Sequence, residues 1–258
     1  MRALQTRLDA EGLDWLIPAW DAPRNVHALV TTRNDNHDRF DLGPARLDAL
    51  GVETRESVVS NRERVRSFLP SMPIWIEQTH GRDVAIVTRD NLADIHAQAP
   101  VADAALTRLP DIPLAVRVAD CLPILFTTDD GSIVAATHAG WRGLAAGVIE
   151  ATLVAMRAPR TQIHAWLGPA IGRDAFEVGA DVRDAFCDIT PSDAEHFRAL
   201  DRGKWLADLV ALARARLKRA GVDAVAGANV CTHTDSRRFF SYRRDRTAAR
   251  FAAIVWRE

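Results

Sequence analysis

Between residues 74 and 140 the chain breaks into short apolar runs separated by Gly, Pro and Asp: IWIEQTHG (74–81), DVAIVTR (83–89), DAALTRL (103–109), PLAVRV (113–118), CLPILFTT (121–128) and SIVAATHAG (132–140). Runs this short, rich in β-branched residues and closed by turn formers, are strands. Six in succession demand a sheet at the centre of the fold. VHALVTT (26–32), QIHAWLGPAIG (162–172), ANVCTH (228–233) and RFAAIVW (250–256) read as further strands. ESVVSNRERVRSFL (56–69), WRGLAAGVIEATLVAM (141–156), GADVRDAFC (179–187) and KWLADLVALARARLKRAG (204–221) carry helical apolar spacing, the last stopped by Gly221. This order is neither strict βαβ alternation nor all-β. The expected fold class is therefore α/β with a mixed sheet: a layered single domain, residues 1–258, with helices packed on mixed β-sheets.

A chain of 258 residues can bury roughly 70–75% of its unfolded surface, and 48% hydrophobic with 26% charged residues is an ordinary globular balance. Lys plus Arg number 33 against 34 Asp plus Glu, for a net charge of −1, so nucleic acid is not an expected partner. The most basic stretch, SRRFFSYRRDRTAAR (236–250), reads as a solvated segment. No run approaches the roughly 18 apolar residues of a membrane span, and MRALQTRLDAEGLDWLIPAW lacks the apolar core of a secretory signal. Three cysteines without CxxC spacing fit a reducing cytoplasm.

His80 in EQTHG, Cys121 in VADCLP and His138 in THAGWRG each fall at a strand end, beside a residue that ends or bends the strand. Strand ends and the loops after them are where sites are built. Two imidazoles and a thiolate suit a zinc ion with an open fourth position. The same residues suit a Cys–His pair for nucleophilic hydrolysis, with Cys121 as thiolate and His80 or His138 as base. Each also has a plain structural reading, as hydrogen-bonded histidine or buried small thiol. Residue types and spacing leave all three open.

QTHG (78–81), ADCLPILF (119–126), HAGWRGL (138–144), GPAIG with FEVG (168–172, 176–179) and CTHTDSRRFFSYRRD (231–245) occur in that order, with W-D-A-P and TTR within 20–33 and NR at 61–62. Together they resemble the YfiH family, also called the laccase-domain, polyphenol oxidase or peptidoglycan-editing-factor family. The resemblance implies a layered α/β fold related to toxins of the cytotoxic-necrotizing-factor type. It also implies purine nucleoside phosphorylase activity on adenosine, inosine and methylthioadenosine, with adenosine deamination as a side activity. Carried over residue by residue, it makes His80, Cys121 and His138 both metal ligands and catalytic residues. The chain departs from the family pattern at Asn34–Asp38, at Ala175-Phe176-Glu177-Val178 for C-Y-E-V, and at Ala248-Ala249-Arg250 for T-G-R.

Zn²⁺ on such ligands, with Cu²⁺ as a possible replacement, polarises substrate atoms and activates water, which is what deamination needs. Phosphorolysis needs cations for phosphate, and Arg binds it bidentately. Arg33, Arg62 and Arg142 are the candidates, with Asn61 beside Arg62. Arg142 falls in the first turn of a helix. Phe240 is the candidate for purine stacking, ahead of Tyr242 and Trp141. Asp103, Asp120 and Glu177 are the candidates for proton transfer, although an extended backbone at 119–122 points Asp120 away from Cys121. The partners expected are nucleoside and phosphate, with the chain a monomer or weak homo-oligomer. Competing functions are a thiol amidase editing peptidoglycan precursors, a copper polyphenol oxidase, and a metal-binding interaction protein. None of the eight histidines has another two residues on, against a multicopper cluster.

Overall fold

A computed structural model describes residues 2–33, 40–44, 47, 50–227 and 230–258. The described strands form three sheets. The first has the order β1 (Val26–Val30), β13 (Phe251–Arg257), β5 (Leu114–Val118), β2 (Ile74–Trp75), antiparallel except for the β2–β5 pair. The second runs β12 (Ala224–Gly227), β8 (Ile163–Leu167), β6 (Leu122–Thr128), β7 (Val134–Ala139), β4 (Ala104–Thr107), β3 (Val84–Val87), parallel at its two outer pairs and antiparallel within. A small third sheet joins β10 (Phe197–Ala199), β11 (Trp205–Ala207) and β9 (Glu177–Val178). The expectation of a mixed α/β fold holds.

Period-two alternation sorts the side chains into three apolar layers. Along β13, Phe251, Ala253 and Val255 face the second sheet, while Ala252, Ile254 and Trp256 pack beneath α1 (Arg2–Ala10) and α2 (Val52–Ser67), against Leu8, Val65 and Phe68. Along β6, Leu125 joins the layer between the sheets. Leu122, Ile124 and Phe126 turn to the opposite face, where they meet Ile149 and Leu153 of α5 (Val148–Met156) and Leu212 of α7 (Leu209–Arg219). The result is a helix–sheet–sheet–helix sandwich. Because both faces of each central strand are covered, β5, β6 and β7 are buried throughout and read as nearly continuous apolar runs.

Several elements differ from the sequence reading. The helix expected over 141–156 is two, α4 (Trp141–Ala146) and α5, because Gly147 adopts φ 93° and ends one while opening the other. The helix expected from 204 begins only at Leu209: Trp205–Ala207 pair in the third sheet, and the Asp208 carboxylate caps the helix by accepting from the Ala211 N–H at 2.9 Å. Of the strand expected at 228–233, Ala228 and Asn229 lie outside the described residues, and Cys231 makes only an isolated bridge to Ala170. Three helices were not anticipated, α1, α3 (Leu92–Ala97) and the single turn α8 (Tyr242–Asp245). The remaining α-helix among the described residues is α6 (Ala180–Cys187).

Candidate metal site and catalytic cavity

The His80, Cys121 and His138 side chains converge. Their ligand atoms lie within 4.8 Å of one another, with Cys121 Sγ 3.8 Å from His80 Nε2 and the two imidazoles edge-on at 77°. A tetrahedral zinc with about 2.0–2.1 Å to nitrogen and about 2.3 Å to sulfur holds its ligand atoms about 3.3–3.6 Å apart, so small side-chain adjustments close the cluster on an ion. The cluster therefore fits metal binding. His138 is on β7 opposite Pro123, Cys121 immediately precedes β6, and His80 lies in the turn before β3.

Two strained backbone positions aim these groups. His80 has φ 62° and Asp120, next to Cys121, has φ 90°, a region that costs a non-glycine residue about 1–3 kcal/mol and persists only where its surroundings impose it. Asp103 imposes the first. Its fully buried carboxylate accepts the backbone N–H groups of Thr79 (3.2 Å), His80 (3.0 Å) and Gly81 (2.6 Å), and also pairs with His138 Nδ1 at 2.8 Å. One carboxylate thus fixes the turn bearing His80 and orients His138 with Nε2 toward the cluster. Asp120 secures the second, accepting from Thr232 Oγ1 (2.6 Å), Ser241 Oγ (3.0 Å) and the Arg243 N–H (2.7 Å). Its backbone is not extended, and both its oxygens are occupied in tying 231–245 to the site. Neither Asp103 nor Asp120 is therefore placed as a free proton carrier.

The glycines of HAGWRG have a steric reason. A Cβ on Gly140 would lie 2.9 Å from His80 Cδ2 and 3.0 Å from Cys121 Sγ, and one on Gly143 would lie 2.6 Å from the Gly81 carbonyl oxygen. The helix α4 can approach the cluster only without those carbons.

Electrostatics within the cluster are tightly linked. Burial pushes the Cys121 thiol up, but the His138 charge and hydrogen bonds from both imidazoles outweigh it and bring the thiol down to about 6. Burial pushes His138 down, yet the Cys121 thiolate and the Asp103 hydrogen bond raise it to about 9. Burial works against the Asp103 carboxylate too, and its hydrogen bonds to His138 and the 79–81 turn reverse that, lowering it to about 2.

The three side chains line a cavity of about 840 Å³. Trp141, Phe176 and Tyr242 give it aromatic walls, and Arg117, Arg142, Arg243, Arg246 and Arg250 make it cationic, against Glu77 and Asp120. Of the residues expected to bind substrate, Arg142 lines this cavity, its guanidinium 4.3 Å from the Trp141 ring centroid. The others are corrected. Phe240 is fully buried in the layer between the sheets and does not line the cavity. Asn61 donates to the Asp41 carbonyl, and Arg62 clamps the carbonyls of Leu42 and Pro44, so both brace the 41–44 segment. Arg33 reaches the Ser236 carbonyl, 3.7 Å from Asp245. Glu177 is exposed in a neighbouring depression, away from the cluster.

Sequence reasoning missed Arg117, Arg243, Arg246 and Arg250. The last three fall within 236–250, whose composition reads as solvated, although Tyr242, Arg243, Arg246, Ala248 and Arg250 of that stretch line the cavity. Arg117 is 7% exposed on β5, donates to the carbonyls of Gly43 and Ile76, and has no acceptor for its buried Nε among the described residues. Its burial, with Arg62 and Arg250 close by, pushes the guanidinium down to about 9. An arginine inside an apolar β5 run was the available signal.

A layered α/β sandwich carrying an N,N,S donor cluster on the floor of a cationic cavity defines a protein with a candidate metal-assisted active site. The family described as multi-copper polyphenol oxidoreductase laccase matches residues 27–258, and the chain belongs to that family. It is 42% identical to a Pseudomonas aeruginosa protein named purine nucleoside phosphorylase, over 94% of this chain and 98% of that one. It is 41% identical to the Escherichia coli purine nucleoside phosphorylase YfiH, over 93% and 98% respectively. Among solved structures, a Neisseria meningitidis protein superimposes with a TM-score of 0.85 at 42% identity, covering 95% of this chain and 99% of that one. YlmD of Geobacillus stearothermophilus does so with a TM-score of 0.80 at 29% identity, over 91% and 93%.

Proposed function

We propose that this chain, read as one catalytic domain over residues 1–258, is a zinc-dependent purine nucleoside phosphorylase. It cleaves adenosine, inosine and methylthioadenosine with phosphate, and deaminates adenosine as a side activity. The observation that carries the reading is the His80/Cys121/His138 cluster on the floor of a cavity that is both aromatic and arginine-lined; the names of the relatives support it. His80, Cys121 and His138 would hold the ion, which supplies a Lewis acid and a fixed positive charge when bound. Two imidazoles and one thiolate with a position open to the cavity are a catalytic zinc set. Copper competes for the same donors by intrinsic affinity. Among the described residues this is the single group of three such ligands, which does not support the several copper ions of a multicopper oxidase.

The protein's own groups cover the other needs of phosphorolysis. A phosphate oxygen bonds to ribose C1′ as the C1′–N9 bond breaks and its electron pair leaves on the purine. Arg142 and its cationic neighbours hold the phosphate dianion and offset its charge as it approaches. Trp141 and Tyr242 offer flat faces to the purine. Asp103 keeps His138 in one tautomer and His80 in one backbone conformation. The ligands are nucleoside and phosphate, without nucleic acid. We place the protein in the cytoplasm as a monomer or weak homo-oligomer. No helix among the described residues is long and apolar enough to cross a membrane, and Cys121, Cys187 and Cys231 are free.

One observation favours a second reading. Cys121, His138 and Asp103 stand in the order of a thiolate, a base and its orienting carboxylate, with the thiol lowered to about 6, which suits a thiol amidase. Purified protein of known metal content, assayed for phosphate-dependent release of adenine or hypoxanthine, separates the two. The phosphorylase reading expects base and ribose 1-phosphate, lost on chelation and restored by zinc. Release of inosine and ammonia without phosphate would make deamination the main activity. Amide cleavage that survives chelation and dies on Cys121 alkylation would establish the hydrolase instead.

A further inference from the structure

Beside the catalytic cavity lies a second, shallower one of about 540 Å³, lined by Ala175, Glu177, Lys204, His233, Arg243 and Arg246. Arg243 and Arg246 line both, so the two spaces adjoin. Its basic groups arrive from three separate segments: Lys204 before β11, His233 from the turn after Cys231, and Arg243 and Arg246 from α8 and the residue after it.

The pairing of charges in this region is selective. Arg238 is bound to Asp235 at 2.6 Å and Arg244 to Asp245 at 2.7 Å, and Arg244 also donates to the carbonyls of Thr232, His233 and Phe239. Those two arginines build the turn. Among the described residues, none of Lys204, Arg243 and Arg246 has a carboxylate partner: Arg243 donates to the Glu177 backbone carbonyl at 2.8 Å, and Arg246 lies 5.6 Å from the Tyr242 ring centroid. The Glu177 carboxylate is the single acidic group of the lining. Three cations that lack a carboxylate partner among the described residues converge with an imidazole on one depression, an arrangement suited to a doubly charged oxyanion.

We propose that Lys204, His233, Arg243 and Arg246 form a phosphoryl-binding subsite adjoining the catalytic cavity, which takes the dianion of a phosphate monoester whose nucleoside part occupies the cavity. The same chemistry admits free inorganic phosphate. The subsite rests on the nucleoside reading for its choice of organic ligand; its affinity for the anion stands apart from it.

The test is calorimetric titration of metal-loaded protein at low ionic strength with adenosine, adenosine 5′-monophosphate and inorganic phosphate, repeated with Lys204→Glu. Lys204 is exposed and does not line the catalytic cavity. In the wild type, adenosine 5′-monophosphate is expected to bind about tenfold more tightly than adenosine, an advantage that fades with salt. Lys204→Glu is expected to erase most of that advantage and leave adenosine binding unchanged. If no nucleoside binds but inorganic phosphate does, and Lys204→Glu weakens it severalfold, the nucleoside reading fails and the anion subsite stands. An equal affinity for the two nucleosides, with phosphate binding indifferent to Lys204→Glu, overturns the proposal. So does a monophosphate advantage that survives Lys204→Glu intact, which would put the phosphoryl group at the metal or Arg142.

Discussion

Replacing Asp103 by Asn keeps the size of the side chain and removes its charge. In the native protein this carboxylate, fully buried, accepts from His138 Nδ1 and from three consecutive backbone N–H groups at 79–81, and it is held at about 2 against an ordinary value near 3.8. At about 1.36 kcal/mol for each pH unit, that depression represents roughly 2 kcal/mol of folding stability at neutral pH. The folded value lies below the unfolded one, so the contribution is complete above about pH 4 and disappears as the pH falls towards 2. An amide in the same place turns an NH₂ toward donors and cannot satisfy both His138 and the 79–81 turn. Metal-free Asp103→Asn should therefore unfold in urea with a free energy roughly 2 kcal/mol below wild type between pH 6 and 8, the gap narrowing below pH 4. Zinc affinity, measured by competition with a chromophoric chelator, should fall about 10–100-fold, because an outer carboxylate orients the ligand it touches. A variant with zinc affinity within twofold of wild type and unchanged stability would refute the reasoning, since the turn and His138 would then hold their positions without the charge.

Gly140→Ala places a methyl group against His80 and Cys121; metal affinity should drop at least tenfold by the same competition assay, with urea stability of the metal-free protein changing far less. Phe240→Ala, at a fully buried site, should cost about 3–5 kcal/mol of stability while the surviving folded enzyme keeps its KM for adenosine, as measured by denaturation and initial rates. Alkylation of metal-free protein by iodoacetamide should reach half its maximal rate at Cys121 near pH 6 and only at much higher pH at Cys187, whose thiol burial pushes up; mass mapping reads both, and zinc should protect Cys121.

Much of this protein is legible along the chain. Strand runs between 74 and 140 announce themselves because both faces of β5, β6 and β7 are covered, leaving little but apolar residues. The positions of His80, Cys121 and His138 at strand ends, and the motifs around them, mark the cluster before any coordinates. Local rules failed where tertiary contacts prevailed. Trp205–Ala207 lies within a helical spacing yet pairs with the neighbouring strands β9 and β10, and Gly147 breaks a helix whose apolar pattern runs on unbroken. Phe240 and Arg62 sit in family-like motifs and look like ligand contacts, but their places are the core and a backbone clamp.

Residue types and periodicity alone therefore determined the strand-rich centre and the mixed α/β class, because each depends on neighbours within a few positions; the N,N,S donor set is singled out along the chain only by the family-like motifs around His80, Cys121 and His138. Tertiary structure alone decided that Asp103 joins His80 to His138, that Asp120 reaches more than a hundred residues on to Thr232, Ser241 and Arg243, and which arginines face the cavity. Hydrogen bonds and charge convergence depend on distance in space, and a chain folded into stacked sheets brings together groups that no local pattern relates.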